Sequence, residues 1–397
     1  MTTPAYALPR ELRDHCADPH IVVAMSGGVD SSVAALLLKR AGYRVSGIFM
    51  KNWNEPDDDG QCRWEADVAD VLAVCEPLDI PVNTVDLSKA YWDEVFDSFV
   101  AEYAAGRTPN PDVLCNREIK FKAFLDHARA MGGDFIATGH YARNRFRAGR
   151  AELHKGTDAG KDQTYFMYAM GQSALRGSLF PVGELDKRDV RRLAESAGLP
   201  THAKKDSTGI CFIGEQRFRQ FMRNYLPARP GDIRTTDGIV IGRHEGAAYY
   251  TLGQREGLGI GGVRGAAEGP WFVVGKDVER NELIAAQGHD HPLLMSVTLV
   301  ARSLSWLDDE APRAPLQCTA KTRYRQTDQI CTITACDDDA VSVEFEQPQR
   351  AVTPGQSVVF YAGSRCLGGG VIEKTGRERP GNSPYPDLPR QHGLRFI

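Results

Sequence analysis

Apolar residues follow two rhythms along this chain, and the change between them falls near residue 205. Before it, short unbroken apolar runs alternate with stretches whose apolar positions recur at helical spacing. Residues 21–26 (IVVAMS) read as a buried strand, 31–42 (SSVAALLLKRAG) as a helix and 43–51 (YRVSGIFMK) as the next strand. Residues 65–79 (EADVADVLAVCEPLD) make a second helix and 80–87 (IPVNTVDL) a third strand. Further on, 118–132 (EIKFKAFLDHARAMG) is amphipathic, and 133–142 (GDFIATGHYA) is a strand opening into a polar loop. Strands separated by helices of about a dozen residues predict an open parallel sheet with helices on both faces. Ligands in such sheets sit beyond the carboxyl ends of the strands. Both SGGVDSS (26–32) and TGHYA (138–142) lie at such ends.

After residue 205 the helical pattern stops. Residues 231–262 are rich in glycine and turns with short β-like runs, and from about 290 to 375 runs such as QCTAKTRY, QICTITAC, AVSVEFE and SVVFYAG recur at short intervals. That spacing predicts a small antiparallel barrel or sandwich. The Pro-rich, charged stretch 374–397 reads as a disordered tail.

Composition narrows the class. The chain has 397 residues, too many for one ordinary core, with 42% hydrophobic and 25% charged residues, as in a globular protein. No run approaches the roughly 18 apolar residues that cross a bilayer. The first twenty residues carry no basic stretch followed by an apolar one, so a cytoplasmic, non-membrane setting is expected. Nine cysteines, at 16, 62, 75, 115, 211, 318, 331, 336 and 366, form no CxxC pair; neither a disulfide framework nor a zinc knuckle is indicated. The net charge of −4 excludes indiscriminate coating of nucleic acid but not a local basic groove.

Three stretches carry candidate chemistry. In SGGVDSS, Gly27 and Gly28 allow successive N–H groups to face one concave side, and the serines begin a helix whose free N–H groups favour an anion. The string has neither the Lys of GxxxxGK[ST] nor the third glycine of a dinucleotide fingerprint. GRTPNPDVLCNREIKFKAF sets Asp112 three residues from Cys115, just ahead of a helix expected to begin near Arg117; a thiol there is a candidate nucleophile, and Asp112 a candidate acid or base. KKDSTGICFIGEQRF places Cys211 at the boundary between the two textures. Read alone, each cysteine is as well explained as a small core residue.

Taken in order, the motifs match a known family. SGGVDSS resembles the signature loop of the ATP pyrophosphatases (adenine nucleotide α-hydrolase-like enzymes), which split ATP between its α and β phosphates and adenylylate a substrate oxygen. DxxC with NREIKF, then GHYA, KDQTYFMY, DSTGICFIG and YYTLGQREGLGIGG resemble the bacterial tRNA-specific 2-thiouridylases over residues 21–373. These enzymes place sulfur on C2 of the wobble uridine, position 34 of certain tRNAs. The resemblance implies an α/β catalytic domain over 15–205, a β-rich central domain over 206–285, a C-terminal antiparallel β-barrel over 286–375 and the tail over 376–397.

It implies ATP contacts at Ala24, Met25, Ser26, Gly27, Gly28, Val29, Asp30, Ser31, Ser32, Met50 and Gly139, with Asp30 near a Mg²⁺ ion. It also implies that Cys211 carries a persulfide received from a sulfur-relay donor protein, that Cys115 is a nucleophile and that Asp112 is the acid or base. Asn110, Pro111, Asp112, His140, Lys161, Asp162 and Gln163 would surround the target base, and Arg323, Tyr324 and Gln356 would meet the anticodon arm. A labile iron–sulfur cluster on Cys115, Cys211 and Asp112 is the alternative cofactor. Two rival functions are a small-molecule ligase that displaces the adenylate with an amine, and a nucleotide-binding module without chemistry.

Overall fold

The structure, a computed structural model, describes residues 6–14, 16–54, 62–206, 218–261 and 268–378. Its N-terminal sheet is assembled around β1 (His20–Met25), flanked by β2 (Arg44–Lys51) and β3 (Val82–Asp86) on one side. On the other stand β4 (Phe135–Ala137) and the two-residue β7 (Ser178–Leu179). The order is β3-β2-β1-β4-β7 with every pairing parallel. The sequence of β1 explains its central place. Ile21, Val23 and Met25 pack on one side with Leu36, Leu37 and Val190. Val22 and Ala24 pack on the other with Phe121, Phe124 and Leu125. A strand apolar on both faces is stable only between two helical layers. Burying each such aliphatic chain contributes roughly 1.5–3 kcal/mol.

Two features depart from the expected pattern. The helix assigned to begin near Arg117 begins at Pro111: Pro111–Leu114, Cys115–Ala123 and Phe124–Ala130 run on from one another, the middle stretch in wide i→i+5 turns. Asn110 caps it, its Oδ1 accepting the Asp112 N–H at 3.2 Å, and Pro111 takes the first helical position, where its missing N–H costs nothing. Cys115 therefore lies one turn inside the helix rather than ahead of it.

The second departure is the hairpin of β5 (Ala142–Arg147) and β6 (Arg150–Lys155), turned at Ala148 and Gly149 with φ of 49° and 76°. It leaves the catalytic sheet and extends the C-terminal barrel by the pairing of His154 with Arg365.

The central sheet holds β8 (Gly231–Arg234), β9 (Val240–His244), β10 (Trp271–Asp277) and β11 (Glu282–Gln287) in the order β10-β11-β8-β9. Ile233, Val273 and Leu283 of this sheet share a core with Phe96, Phe99, Tyr103 and Cys115 of the catalytic domain. The barrel is β12 (Met295–Trp306), β13 (Leu316–Lys321), β14 (Gln329–Cys336), β15 (Ala340–Arg350), β16 (Ser357–Ala362) and β17 (Arg365–Gly376), closed by β12 pairing with both β15 and β17. A barrel, not a sandwich, is formed. β17 runs through Gly368, Gly369 and Gly370 because neighbours press on all three. A Cβ on Gly369 would lie 3.0 Å from the Tyr168 ring, and one on Gly370 2.6 Å from Leu304 Cδ2. No helix among the described residues is long and apolar enough to cross a membrane.

Candidate active site

The carboxyl ends of β1, β2 and β4 meet at one edge of the sheet, and the turn after β1 runs straight into the Val29–Arg40 helix. Gly27 takes φ +72°, and a Cβ there would lie 2.8 Å from the Asp67 carbonyl oxygen, so the turn needs glycine twice over. Gly28 precedes the helix with no side-chain cap. Ser31 and Ser32 turn their hydroxyls back to the Gly28 carbonyl at 3.1 and 2.9 Å, and Ser31 Oγ accepts the Ser26 N–H at 3.2 Å. The serines thus brace the loop. The N–H groups of the first helical turn are left for an anion, in the field of the helix dipole.

Met50 ends β2 at the same edge, and Gly139 follows β4. Gly139 lies against the helix start: a Cβ on it would meet Asp30 C and Ser31 N at 2.7 Å each. Gly139→Ala is therefore expected to push the first helical turn off the sheet. The cost should be about 1–3 kcal/mol of stability and at least about tenfold in ATP affinity, read by thermal melts and isothermal titration. Wild-type ATP affinity in this variant would show that the turn is not the nucleotide site.

Asp30, the offered metal ligand, is already engaged. Its carboxylate holds Lys187 Nζ at 2.8 and 2.7 Å and accepts the Tyr141 hydroxyl at 2.9 Å. Lys187 also reaches Asp206 at 2.8 Å, and Asp206 is held further by Lys161 and Arg191 at 2.7 Å each. Burial pushes the Asp206 carboxyl upward, but hydrogen bonds from Lys161 and Lys187 outweigh it and bring the pKa to about 2. A depressed carboxyl stabilises the fold above its unfolded pKa of about 3.9. That stability should drain away as pH falls from about 4 towards about 2. Asp206→Asn should flatten this acid limb in urea unfolding curves; an unchanged limb would remove Asp206 from it. Lys187, Tyr141 and Asp206 were not among the sequence candidates. Ion pairs spanning 157 residues leave no local spacing to read.

A second group gathers where the catalytic domain meets the barrel. Asp112 and Cys115 are one helical turn apart, so they share a face. Cys115 is fully buried among the aromatic side chains of the central core. Beside it, Asn116 donates to the Phe166 carbonyl at 3.0 Å while its Oδ1 finds no partner among the described residues. Phe166 packs on Tyr324 with ring centres 4.5 Å apart. Gln356 donates to the Thr108 carbonyl at 2.8 Å, bracing the loop that leads to Asn110 and Pro111. Arg323 donates to the Leu252 and Ala351 carbonyls at 3.3 and 2.8 Å, joining the central domain to the barrel.

His140 takes Thr138 Oγ1 at 2.8 Å on its Nδ1; burial, then the nearby Lys120 charge, push its pKa well below the usual range, so it stays neutral at pH 7. Gln163 accepts the Tyr141 N–H at 2.9 Å. Asp162 is different. Its carboxylate is buried, accepts from Thr164 Oγ1 at 2.9 Å and stands 3.4 Å from the buried Lys321, which makes it a strut between domains. Cys211 lies outside the described residues. Among the described residues no group of three His, Cys, Asp or Glu is placed to hold a metal ion.

Family models match three consecutive parts of the chain: a tRNA methyl transferase HUP domain over 19–215, a tRNA methyl transferase PRC-barrel domain over 219–287 and an aminomethyltransferase beta-barrel domain over 296–372. The chain is 59% identical over 360 residues to the tRNA-specific 2-thiouridylase MnmA of Methylococcus capsulatus, covering 90% of this chain and 97% of that one. It is 59% identical to the tRNA-specific 2-thiouridylase MnmA of Salmonella paratyphi B and 58% identical to that of Klebsiella pneumoniae. Each match covers 89% of this chain and 96% of the relative.

Proposed function

The chain belongs to the tRNA-specific 2-thiouridylases and is a tRNA-uridine 2-sulfurtransferase; from that premise we propose how its residues divide the work. ATP lies on the turn Ala24–Ser32, its phosphates on the N–H groups of the first helical turn, with Met50 and Gly139 closing the sides. Uracil O2 of the wobble base attacks the α-phosphate and pyrophosphate leaves. The resulting O-adenylyl group makes C2 electrophilic and AMP a good leaving group. Asp112 moves the proton.

Sulfur arrives as a persulfide on Cys211, loaded by a separate donor protein. Either its terminal sulfur attacks C2 and Cys115 then resolves the intermediate, or Cys115 attacks the persulfide and releases hydrosulfide to attack C2. In both routes a Cys115–Cys211 disulfide forms, in the first as the thiolated base is released and in the second as hydrosulfide leaves, and a reductant restores the two thiols. Asn110, Pro111, His140, Lys161 and Gln163 line the base, while Arg323, Tyr324 and Gln356 meet the anticodon arm. Asp162 contributes by holding Lys321. The setting is cytoplasmic, where thiols stay reduced.

The observation that carries this reading is the uncapped helix start at Gly28, pressed by Gly139 and backed by Lys187 through Asp30. Mg²⁺ would reach Asp30 only by displacing Lys187, so no step is routed through it. The cluster alternative has Asp112 and Cys115 one turn apart and its third ligand outside the described residues, and no step is routed through it either.

Purified protein should be incubated without oxygen with ATP, Mg²⁺, unmodified tRNA and a sulfide source, and the nucleosides analysed by mass. ATP-dependent 2-thiouridine is the expected product. Pyrophosphate release with no thiolated nucleoside would favour the ligase reading, and an iron–sulfur absorption band that tracks activity would favour the cluster.

A further inference from the structure

Cys318 on β13 stands directly opposite Cys331 on β14, the neighbouring antiparallel strand of the barrel. Opposite residues share a face, and here the face is inward: both thiols join the barrel core with Ile333, Val343 and Phe360. Their sulfurs are 3.6 Å apart. A disulfide needs about 2.05 Å, so the two sulfurs must approach by about 1.5 Å. Opposite Cβ atoms in a sheet stand about 4.5–5.5 Å apart and those of a disulfide about 3.5–4.5 Å. Closure must therefore draw the strands together, and a bond strained in this way is readily reduced again.

The two thiols are unequal. The two sulfurs share one hydrogen bond, so one proton between them is held by both and the pair favours a single thiolate over two buried thiols. Cys318 is 8% exposed and Cys331 1%, so Cys318 is the thiol a small oxidant reaches first. Between the strands lie residues 322–328, the turn that carries Arg323 and Tyr324. That turn is pinned closely: Thr322 N–H donates to Gln326 Oε1 at 2.7 Å, Lys155 holds Asp328 at 2.6 Å, and Arg323 grips two carbonyls. Movement of the strands at Cys318 is transmitted to a turn with little slack.

We propose that Cys318 and Cys331 form a reversible disulfide when the protein meets a hydroperoxide, and that closing it weakens the hold of the Arg323–Tyr324 turn on tRNA. The second half rests on the reading of that turn as an RNA contact; the first does not. The Cys318 thiolate attacks the hydroperoxide, an S–O bond forming as the O–O bond breaks, and the leaving oxygen takes a proton. Cys331 then attacks the sulfenic sulfur; the S–S bond forms, the S–O bond breaks, and water leaves with the proton of Cys331. The two thiols lose two electrons and the hydroperoxide gains them. A dithiol reductant reverses the step by exchange.

The plain alternative is that two small residues fill a barrel core. Cys366 supplies the comparison: it is as buried, its pKa pushed up to about 12 by burial first, and no other cysteine shares its core cluster among the described residues. Wild type should be treated with one equivalent of hydrogen peroxide, its free thiols alkylated in denaturant, and the chain digested without reductant. The expected map shows peptides bearing Cys318 and Cys331 joined and lighter by two hydrogens, Cys366 alkylated, and separation on dithiothreitol. The tRNA dissociation constant should rise about fivefold on oxidation, recover on reduction, and stay unchanged in Cys318→Ala.

Absence of the joined peptide overturns the proposal, and the map on wild type needs no variant to fold. A joined peptide with unaltered tRNA affinity, or an equal loss in Cys318→Ala, overturns the coupling. Reduced wild type that fails to bind tRNA at all counts against the RNA-contact reading, and the peptide map still decides the disulfide.

Discussion

Cys115→Ser and Cys115→Ala should both form 2-thiouridine at least about 10³-fold more slowly than wild type while binding ATP normally. The two variants separate chemistry from packing. Cys115 is fully buried beside Phe99, Tyr103 and Ile119, which is the position of an ordinary core filler. A filler tolerates Ala at a modest cost in stability and keeps its activity per folded molecule. A nucleophile tolerates neither change. Serine keeps the shape, but its hydroxyl hardly ionises near pH 7 and cannot form or cleave an S–S bond. It also buries a hydroxyl, at about 1–3 kcal/mol if no partner is found, so the melting point of each variant must be measured and activity referred to the folded fraction. Thiolated nucleoside from either variant at more than a tenth of the wild-type rate would return Cys115 to the core.

Burial also bears on what reading a sequence achieves here. The parallel sheet was legible because β1 and its helices carry their periods locally, and the phosphate turn because SGGVDSS spells a tight turn and a helix start in consecutive residues. The start of the Cys115 helix was in principle legible as well. Asn-Pro-Asp is a cap, a first-turn proline and a first-turn acid in three consecutive residues. The wide turns over 115–123 have no composition signal. β17 is harder to read on its own, since three glycines argue against a strand and only the close approach of Tyr168, Trp306 and Leu304 accounts for them.

Local reading is blind in the same way to partners far along the chain. Asp162 and Lys321 look like surface charges in their own stretches, yet they face each other in the interior. Cys211 is the reverse case, identified by motif alone, with its placement outside the described residues.

Lys187→Gln should lower kcat/KM for ATP by about 10²–10³-fold, the second large effect. On the proposed reading the turn after β1 binds phosphate without a lysine of its own, and Lys187 would supply the cation from 157 residues away, with its side chain 11% exposed. Without it, the Asp30 carboxylate faces the incoming phosphates. Like charges about 4 Å apart repel by roughly 4 kcal/mol at an effective dielectric near 20, which sets the upper end of the expected loss. Stability should fall too, by about 1–3 kcal/mol, less than for a fully buried pair because Asp30 and Asp206 remain about a third exposed.

The double variant Lys187→Gln with Asp30→Asn decides how the lysine acts. If Lys187 chiefly neutralises Asp30, removing both charges restores most of the ATP affinity. If its ammonium touches the phosphates directly, the double variant stays as weak as the single one. Wild-type ATP kinetics in Lys187→Gln would instead make the Asp30–Lys187–Asp206 chain a structural clasp. Because Lys187 binds Asp206 at the threshold of the Cys211 segment, 2-thiouridine yield should be measured beside ATP kinetics in the same variants: a loss of sulfur transfer larger than the loss of ATP use would place part of its effect on the Asp206 side.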